Sequence, residues 1–382
     1  MKEILKKILT KILILLPIEN IIIMESNPDF TDSVKTVFDE LIKNKVNEKY
    51  KIIWFVSDNK KFKEFKIKNV KFLKVKSSKF NIFIKIRKYI NISKAKIIID
   101  SNNFIPKVRE EQIRVHISHG TPLKNASNYN EGIGDVDYIV ELSDFFKEFN
   151  SKSYKVDKSK LLDFGFPRND VLLKKVDKKK YFPEYDNKKI IVWLPTYRKH
   201  TSKNNYGNSS LKYGIPCFNN EDDFKIVDEK LKELNIIILF KLHPAQDRKI
   251  LESFNTENIK IITDDELLKK KINLYELLAI SDAMITDYSS VYYDYLITKK
   301  MIGLAISDFN EYEKEVGFVY NFFDVVKGDY IYNKEELIEF IQNISTENDI
   351  KKDERLLALK KFHTFEDNKS TERIFNLIKK YL

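Results

Sequence analysis

The sequence predicts an α/β protein made of two doubly wound, parallel-sheet domains. Three observations lead there. Short β-branched runs alternate with amphipathic helical stretches, as in a parallel sheet covered on both faces. This pattern breaks at a charged stretch, 171–186, and then restarts. A length of 382 residues is enough for about two domains with ample cores. Two successive βα sheets of about 170 residues each describe paired Rossmann-like domains facing a cleft.

The elements follow in order. Runs at 21–24, 52–56, 70–75, 97–99, 115–117 and 138–140 read as buried strands, with a helix over 33–44. After the connection, strands are expected at 190–194, 236–240, 259–263, 283–286 and 301–306. Helices fall at 222–234, 274–280 and 290–297, with three more at 334–343, 351–362 and 371–381. The expected domains are 1–172 and 187–365, and the helix in 366–382 is placed to pack across them. Residues 200–220 are polar, carry two glycines and follow a strand end, so they read as a mobile, ligand-contacting loop.

Composition narrows the function. The net charge is +11, from 68 Lys+Arg against 57 Asp+Glu. Such a surplus favours an anionic partner: nucleic acid, acidic lipid or a phosphorylated substrate. The single cysteine, Cys217, excludes an internal disulfide and a Cys-rich zinc site, and suits a reducing cytosol. No transmembrane run of 18 apolar residues occurs. GxGxxG, Walker A and HExxH motifs are also missing, which disfavours nicotinamide redox, P-loop ATPase and zinc-protease chemistry.

Residues 1–16, MKEILKKILTKILILL, place Ile and Leu at helical spacing with Lys on the other side. They read as a basic amphipathic helix on an anionic membrane surface, or as a first helix packed on the domain. A second basic and apolar stretch, 79–90, has the same two readings.

Scarce residues mark the chemistry. Only 8 of the basic residues are Arg, and there are five His. The expected strand at 115–117 runs into His119-Gly120-Thr121-Pro122-Leu123-Lys124. A histidine past a strand's carboxyl end can face a cleft and take a hydroxyl proton near pH 7. A turn-capping histidine is the alternative. DFGFPRND presents Arg168, suited to bidentate phosphate binding or to an ion pair. Strand ends deliver Thr196 with Arg198, and Lys241 with His243, to one sheet edge. In ITDYSS, Thr286, Asp287 and Ser289 can cap a helix. If that helix start faces the cleft, the hydroxyls of Ser289 and Ser290 form a phosphate cradle without a glycine loop.

Taken in order, HGTPLK, DFGFPRND, LPTYR, KLHP and ITDYSSVYYDYL resemble the CDP-glycerol glycerophosphotransferase family of teichoic acid and capsule synthesis. IIIMESNPDFTDS and DNKSTERI extend the resemblance over most of the chain. It implies a GT-B-like architecture and the short, single-module type. It implies transfer of glycerol phosphate (ribitol phosphate in some branches) from a CDP-alditol to a hydroxyl of a lipid-linked or polymer acceptor, with release of CMP. The motif histidines match His119 and His243. Diphosphate contacts match Arg168, Thr196, Arg198, Thr286, Ser289 and Ser290; Lys241 and Asp287 are counted with them. Gly120, Thr121 and Lys124 are assigned to the acceptor side. No metal and no tightly bound cofactor are expected, since arginines can supply fixed positive charge. One departure is Val326-Lys327-Gly328, where many members carry a Pro-Gly-Pro-like turn. The remaining alternatives are a GT-B glycosyltransferase using a nucleotide sugar and a basic nucleic-acid-binding protein. No nucleic-acid module is recognisable, so nucleic acid is not an expected partner. The expected place is the cytoplasm, at the inner face of the cell membrane.

Overall fold

The computed structural model describes residues 15–75, 81–102, 105–125, 132–198, 211–242 and 256–382. Residues 1–14, Lys79, the first half of the 200–220 stretch and His243 lie outside them.

The chain divides into two compact units. The first comprises Met1–His119, Tyr129–Asp170 and Thr364–Leu382; the second comprises Gly120–Asn128 and Val171–His363. Two segments group differently: 120–128 go with the second unit and 364–382 with the first.

The first unit holds seven parallel strands in the order β3-β2-β1-β4-β5-β6-β7. They are β1 (Ile21–Glu25), β2 (Lys51–Val56), β3 (Val70–Lys74), β4 (Ile97–Asp100), β5 (Ile113–Ile117), β6 (Tyr138–Val140) and β7 (Leu161–Leu162). Every residue of β1 and β4 is buried, as expected for strands covered on both faces. The helix Asp32–Lys43 buries Val34, Val37, Phe38 and Leu41, a stripe at helical spacing. The last helix, Ser370–Lys379, packs on it and buries Ile374 and Ile378. Asp170 fixes that last helix by accepting bonds from Ser370 N at 3.0 Å and Thr371 N at 2.8 Å.

The second unit repeats the plan with six parallel strands, β10-β9-β8-β11-β12-β13. They are β8 (Lys189–Leu194), β9 (Ile236–Phe240), β10 (Ile259–Ile261), β11 (Ala283–Thr286), β12 (Met301–Ala305) and β13 (Asp329–Ile331). Renumbered within the unit, this is 3-2-1-4-5-6, the Rossmann order; the first six strands of the other sheet follow it too. The α/β, GT-B-like fold class read from the sequence therefore stands. Capping boxes at Asn220/Asp223, Thr263/Glu266 and Asn273/Glu276 start three of its helices.

Three details differ from expectation. Residues 211–220 are not a loose loop: Tyr213, Ile215 and Phe218 are buried, and Phe218 stacks on Phe224 at 4.0 Å. The helix expected at 290–297 is only Val291–Tyr295, followed by a 3-10 turn. Gly328 serves β12–β13 packing, since a Cβ there would lie 2.5 Å from the Ile302 carbonyl.

The carboxyl end of β6 carries a fully buried acid. Burial pushes the Glu141 carboxyl up to about 8, against the opposing hydrogen bond from Asn150. Between its ordinary value of 4.5 and that raised value, the unfolded chain gives up a proton that the folded chain keeps. Stability therefore falls as pH rises through this window. Glu141→Gln is expected to be more stable than wild type at pH 7.5 by roughly 2–4 kcal/mol, and near parity at pH 4. Urea melts at the two pH values check this; equal gains at both would refute it.

Candidate active site

In the first unit, β5 ends at Ile117 and delivers His119, whose side chain is 55% exposed. Its Nδ1 lies 3.0 Å from Asp32 Oδ2. A carboxylate only accepts, so Nδ1 is the donor and Nε2 of the neutral ring keeps its lone pair. Asp32 opens the helix Asp32–Lys43 at φ 64° and accepts from Ser33 N at 2.7 Å. Arg168 Nη1 donates to both Asp32 oxygens at 3.1 Å and to the His119 carbonyl at 2.5 Å. Burial works against ionisation of Asp32, but the Arg168 guanidinium and His119 outweigh it and hold the carboxyl well below the usual carboxylate range.

Arg168 is 2% exposed and rests 4.6 Å from the Phe166 ring. Its visible bonds hold Asp32 and the His119 backbone. Sequence reasoning missed Asp32, which stands 87 residues from its histidine. The only local signal was an acidic residue at a helix start, and capping explains that equally well.

In the second unit, the sheet order reverses between β8 and β11, where α/β sheets place ligands. The ends of these two strands are bolted together. Thr286 Oγ1 donates to the Leu194 carbonyl at 3.0 Å. Asp287 accepts from Thr196 N at 2.9 Å, Thr196 Oγ1 at 2.5 Å, Tyr288 N at 2.6 Å and Arg198 Nη1 at 2.7 Å. Asp308 accepts from Arg198 Nε at 2.8 Å and Nη2 at 3.1 Å, and from the Tyr288 hydroxyl at 2.8 Å. Arg198 is 2% exposed and lies 5.0 and 5.1 Å from the rings of Tyr288 and Tyr312. Burial disfavours its charge, but Asp287 and Asp308 overcome that and strengthen the protonated form. Burial and the neighbouring Asp308 push the Tyr288 phenol far above its ordinary value.

Thr196, Arg198, Thr286 and Asp287 thus form one buried lattice. Ser289 and Ser290 are half-buried at the start of the short helix Val291–Tyr295. Gly120 sits hard against them, since a Cβ there would lie 2.7 Å from Ser290 Oγ. Thr121 is buried, and its hydroxyl has no partner among the described residues. Lys124 bridges to Phe318, and burial lowers its basicity against the pull of Asp287. Gly120, Thr121 and Lys124 lie in the second unit, as do Asp287 and Ser290. Lys241 pairs with Asp264 at 2.9 Å, apart from this lattice. Among the described residues no cluster of three or more His, Cys, Asp or Glu is placed to hold a metal.

Known proteins share this sequence pattern and fold. The chain is 27% identical over 367 residues to a teichoic acid poly(glycerol phosphate) polymerase of Bacillus spizizenii, covering 89% of this chain and 86% of that protein. It is 26% identical over 290 residues to a teichoic acid glycerol-phosphate transferase of Staphylococcus aureus, covering 68% and 69%. A solved structure of the wall teichoic acid polymerase TagF superposes with a TM-score of 0.72 at 21% identity, covering 97% of this chain and 92% of that one. The family model described as CDP-Glycerol:Poly(glycerophosphate) glycerophosphotransferase matches residues 9–380. With that match running through almost the whole sequence, the chain belongs to this glycerophosphotransferase family, whose donor substrate is CDP-glycerol.

Proposed function

We propose that the protein transfers glycerol phosphate from CDP-glycerol to a hydroxyl of a lipid-linked or polymer acceptor, in teichoic acid-like or capsular polymer synthesis. The observation that carries the catalytic assignment is the Arg168–Asp32–His119 relay, which holds an exposed imidazole with Nε2 as acceptor. The acceptor hydroxyl gives its proton to that nitrogen and its oxygen attacks the phosphorus bearing glycerol. The bond from this phosphorus to the CMP oxygen breaks, and CMP leaves. Positioning and charge neutralisation supply most of the acceleration in such transfers. The second unit takes the CDP-glycerol diphosphate on Ser289, Ser290 and Lys124. The buried lattice of Thr196, Arg198, Thr286 and Asp287 fixes the strand ends beneath. His243 and Lys241 remain candidate donor contacts. The deciding assay offers CDP-glycerol, CDP-ribitol and UDP-sugars and identifies the nucleotide released. CMP from CDP-glycerol is expected; UDP released from a UDP-sugar would overturn the reading.

We also place the protein on the inner face of the cell membrane. Among the described residues no helix is long and apolar enough to cross a bilayer. The helix Ile82–Lys94 carries Lys85, Arg87, Lys88 and Lys94, with no acidic residue. Ile82 and Phe83 stand out at its start, Phe83 at 79% exposure. Basic residues beside exposed apolar side chains suit an anionic bilayer surface. Phe83→Ser combined with Lys85→Glu is expected to lower binding to phosphatidylglycerol vesicles by about tenfold. Unchanged sedimentation with those vesicles would remove this face from the account.

A further inference from the structure

The donor contacts assigned to the second unit come from two stretches far apart in the sequence, one ending at Lys124 and one at Ser289 and Ser290. One residue outside both joins them. Residues 123–125 run antiparallel to 317–319, with Lys124 opposite Phe318. Asn125 N donates to the Gly317 carbonyl at 3.0 Å, and Val319 N donates to the Leu123 carbonyl at 2.9 Å. These bonds flank Lys124 and Phe318 and leave them a non-hydrogen-bonded pair. Side chains opposite each other in such a pair stand close together on one face. The backbone of Phe318 therefore fixes the point from which the Lys124 ammonium reaches.

Its ring holds the other stretch. It lies 5.6 Å from the ring of Tyr288 and 5.0 Å from that of Phe322, and stacks on Phe309 at 5.8 Å. Tyr288 is fully buried and stacks on Tyr312 at 4.0 Å. It stands between Asp287 and Ser289 in the chain, with its hydroxyl donating to Asp308 and its N–H to Asp287. A shift of this ring carries the serine pair with it.

Two glycines permit the arrangement. Gly317 takes φ 72°, donates to the Tyr312 carbonyl at 3.2 Å beyond the helix Phe309–Glu315, and turns the chain into 318–319. Gly120 lets the other stretch pass close to Ser290. The circuit is thus closed: Ser290 against Gly120, along the chain to Lys124, across to Phe318, and through its ring to Tyr288 beside Ser289. Side chains held in place before a ligand arrives lose less freedom when it binds.

We propose that Phe318 is a positioning residue for the nucleotide donor: its backbone holds Lys124 and its ring holds the Asp287–Ser290 turn, so that ammonium and hydroxyls meet the diphosphate in one prearranged cradle. The proposal rests on the transfer reading and adds the residue that sets donor affinity from outside the site. The test compares the full-length protein with its Phe318→Leu, Phe318→Tyr and Phe323→Leu variants. Phe323 belongs to the same aromatic cluster but packs on Phe309, Phe322 and Tyr330. Calorimetric titration gives Kd for CDP-glycerol, and CMP release gives kcat and KM. Phe318→Leu is expected to raise Kd and KM by about tenfold with kcat within about threefold, as when binding shared by ground and transition states is lost. Phe318→Tyr keeps the ring and should keep wild-type values. Phe323→Leu should lower the melting temperature as much as Phe318→Leu does and leave KM unchanged, which separates positioning from packing. Val319→Pro deletes one of the two bonds between the paired segments with the ring in place. It should also raise KM, and it carries the test if Phe318→Leu fails to fold. Unchanged KM in Phe318→Leu or in Val319→Pro would overturn the proposal, as would an equal rise in Phe323→Leu. If wild type bound CDP-glycerol and Phe318→Leu weakened that binding, but wild type released no CMP, the positioning role would stand and the transfer reading would fall.

Discussion

Replacing His119 with alanine is expected to lower the rate of CMP release by about 10²–10⁴-fold, the usual worth of a positioned general base. KM for CDP-glycerol should hold, because the imidazole acts on the acceptor proton. Asp32→Asn should reproduce a large part of that loss. An amide can donate to Nδ1, which favours the tautomer with its proton on Nε2, the nitrogen meant to accept. Arg168 would then face a neutral partner 3.1 Å away. Steady-state kinetics of the two single variants and the double variant test the pair. Losses that multiply as independent steps would show that the two residues do not act as one unit. Near-normal turnover in His119→Ala would remove it as the base.

The second large effect is on stability. Arg198→Leu is expected to cost about 3–5 kcal/mol, because it strands two buried carboxylates, Asp287 and Asp308, without their counter-charge. The guanidinium spends four donor bonds on the Thr196 carbonyl, Asp287 and Asp308. Arg198→Lys cannot reproduce that fork and should recover only part of the loss. Chemical denaturation measures both. A change within about 1 kcal/mol accompanied by a raised CDP-glycerol KM would instead make Arg198 a direct diphosphate ligand, the role its position in the sequence suggests.

Both sheets were legible in the sequence because their central strands are runs of Ile, Val and Leu that only a two-sided core tolerates. The two strands that escaped, β7 and β13, are edge strands of two and three residues; neither is long enough to build a pattern. Buried residues without periodicity, such as Tyr213 and Ile215, were likewise hidden among polar neighbours. At the candidate site, residue type and strand-end position singled out His119, Arg168, Thr196, Arg198 and Asp287. Their partners were not visible. Asp32 and Asp308 come from 87 and 110 residues away, and only the folded sheets bring them in. That distant pairing is what turns an expected phosphate-binding arginine into one already engaged by carboxylates.

The first unit closes with Ser370–Lys379, whose Ile374 and Ile378 lie against the helix that begins at Asp32. A stop codon shortly before residue 370 would consequently injure the half translated earliest and spare the sheet translated later. An excised fragment ending near 172 would carry the imidazole but lose the buttress under its carboxylate. Dissecting this protein into separately expressed halves calls for a tethered tail or a circularly permuted gene, since no single cut in the open reading frame yields both.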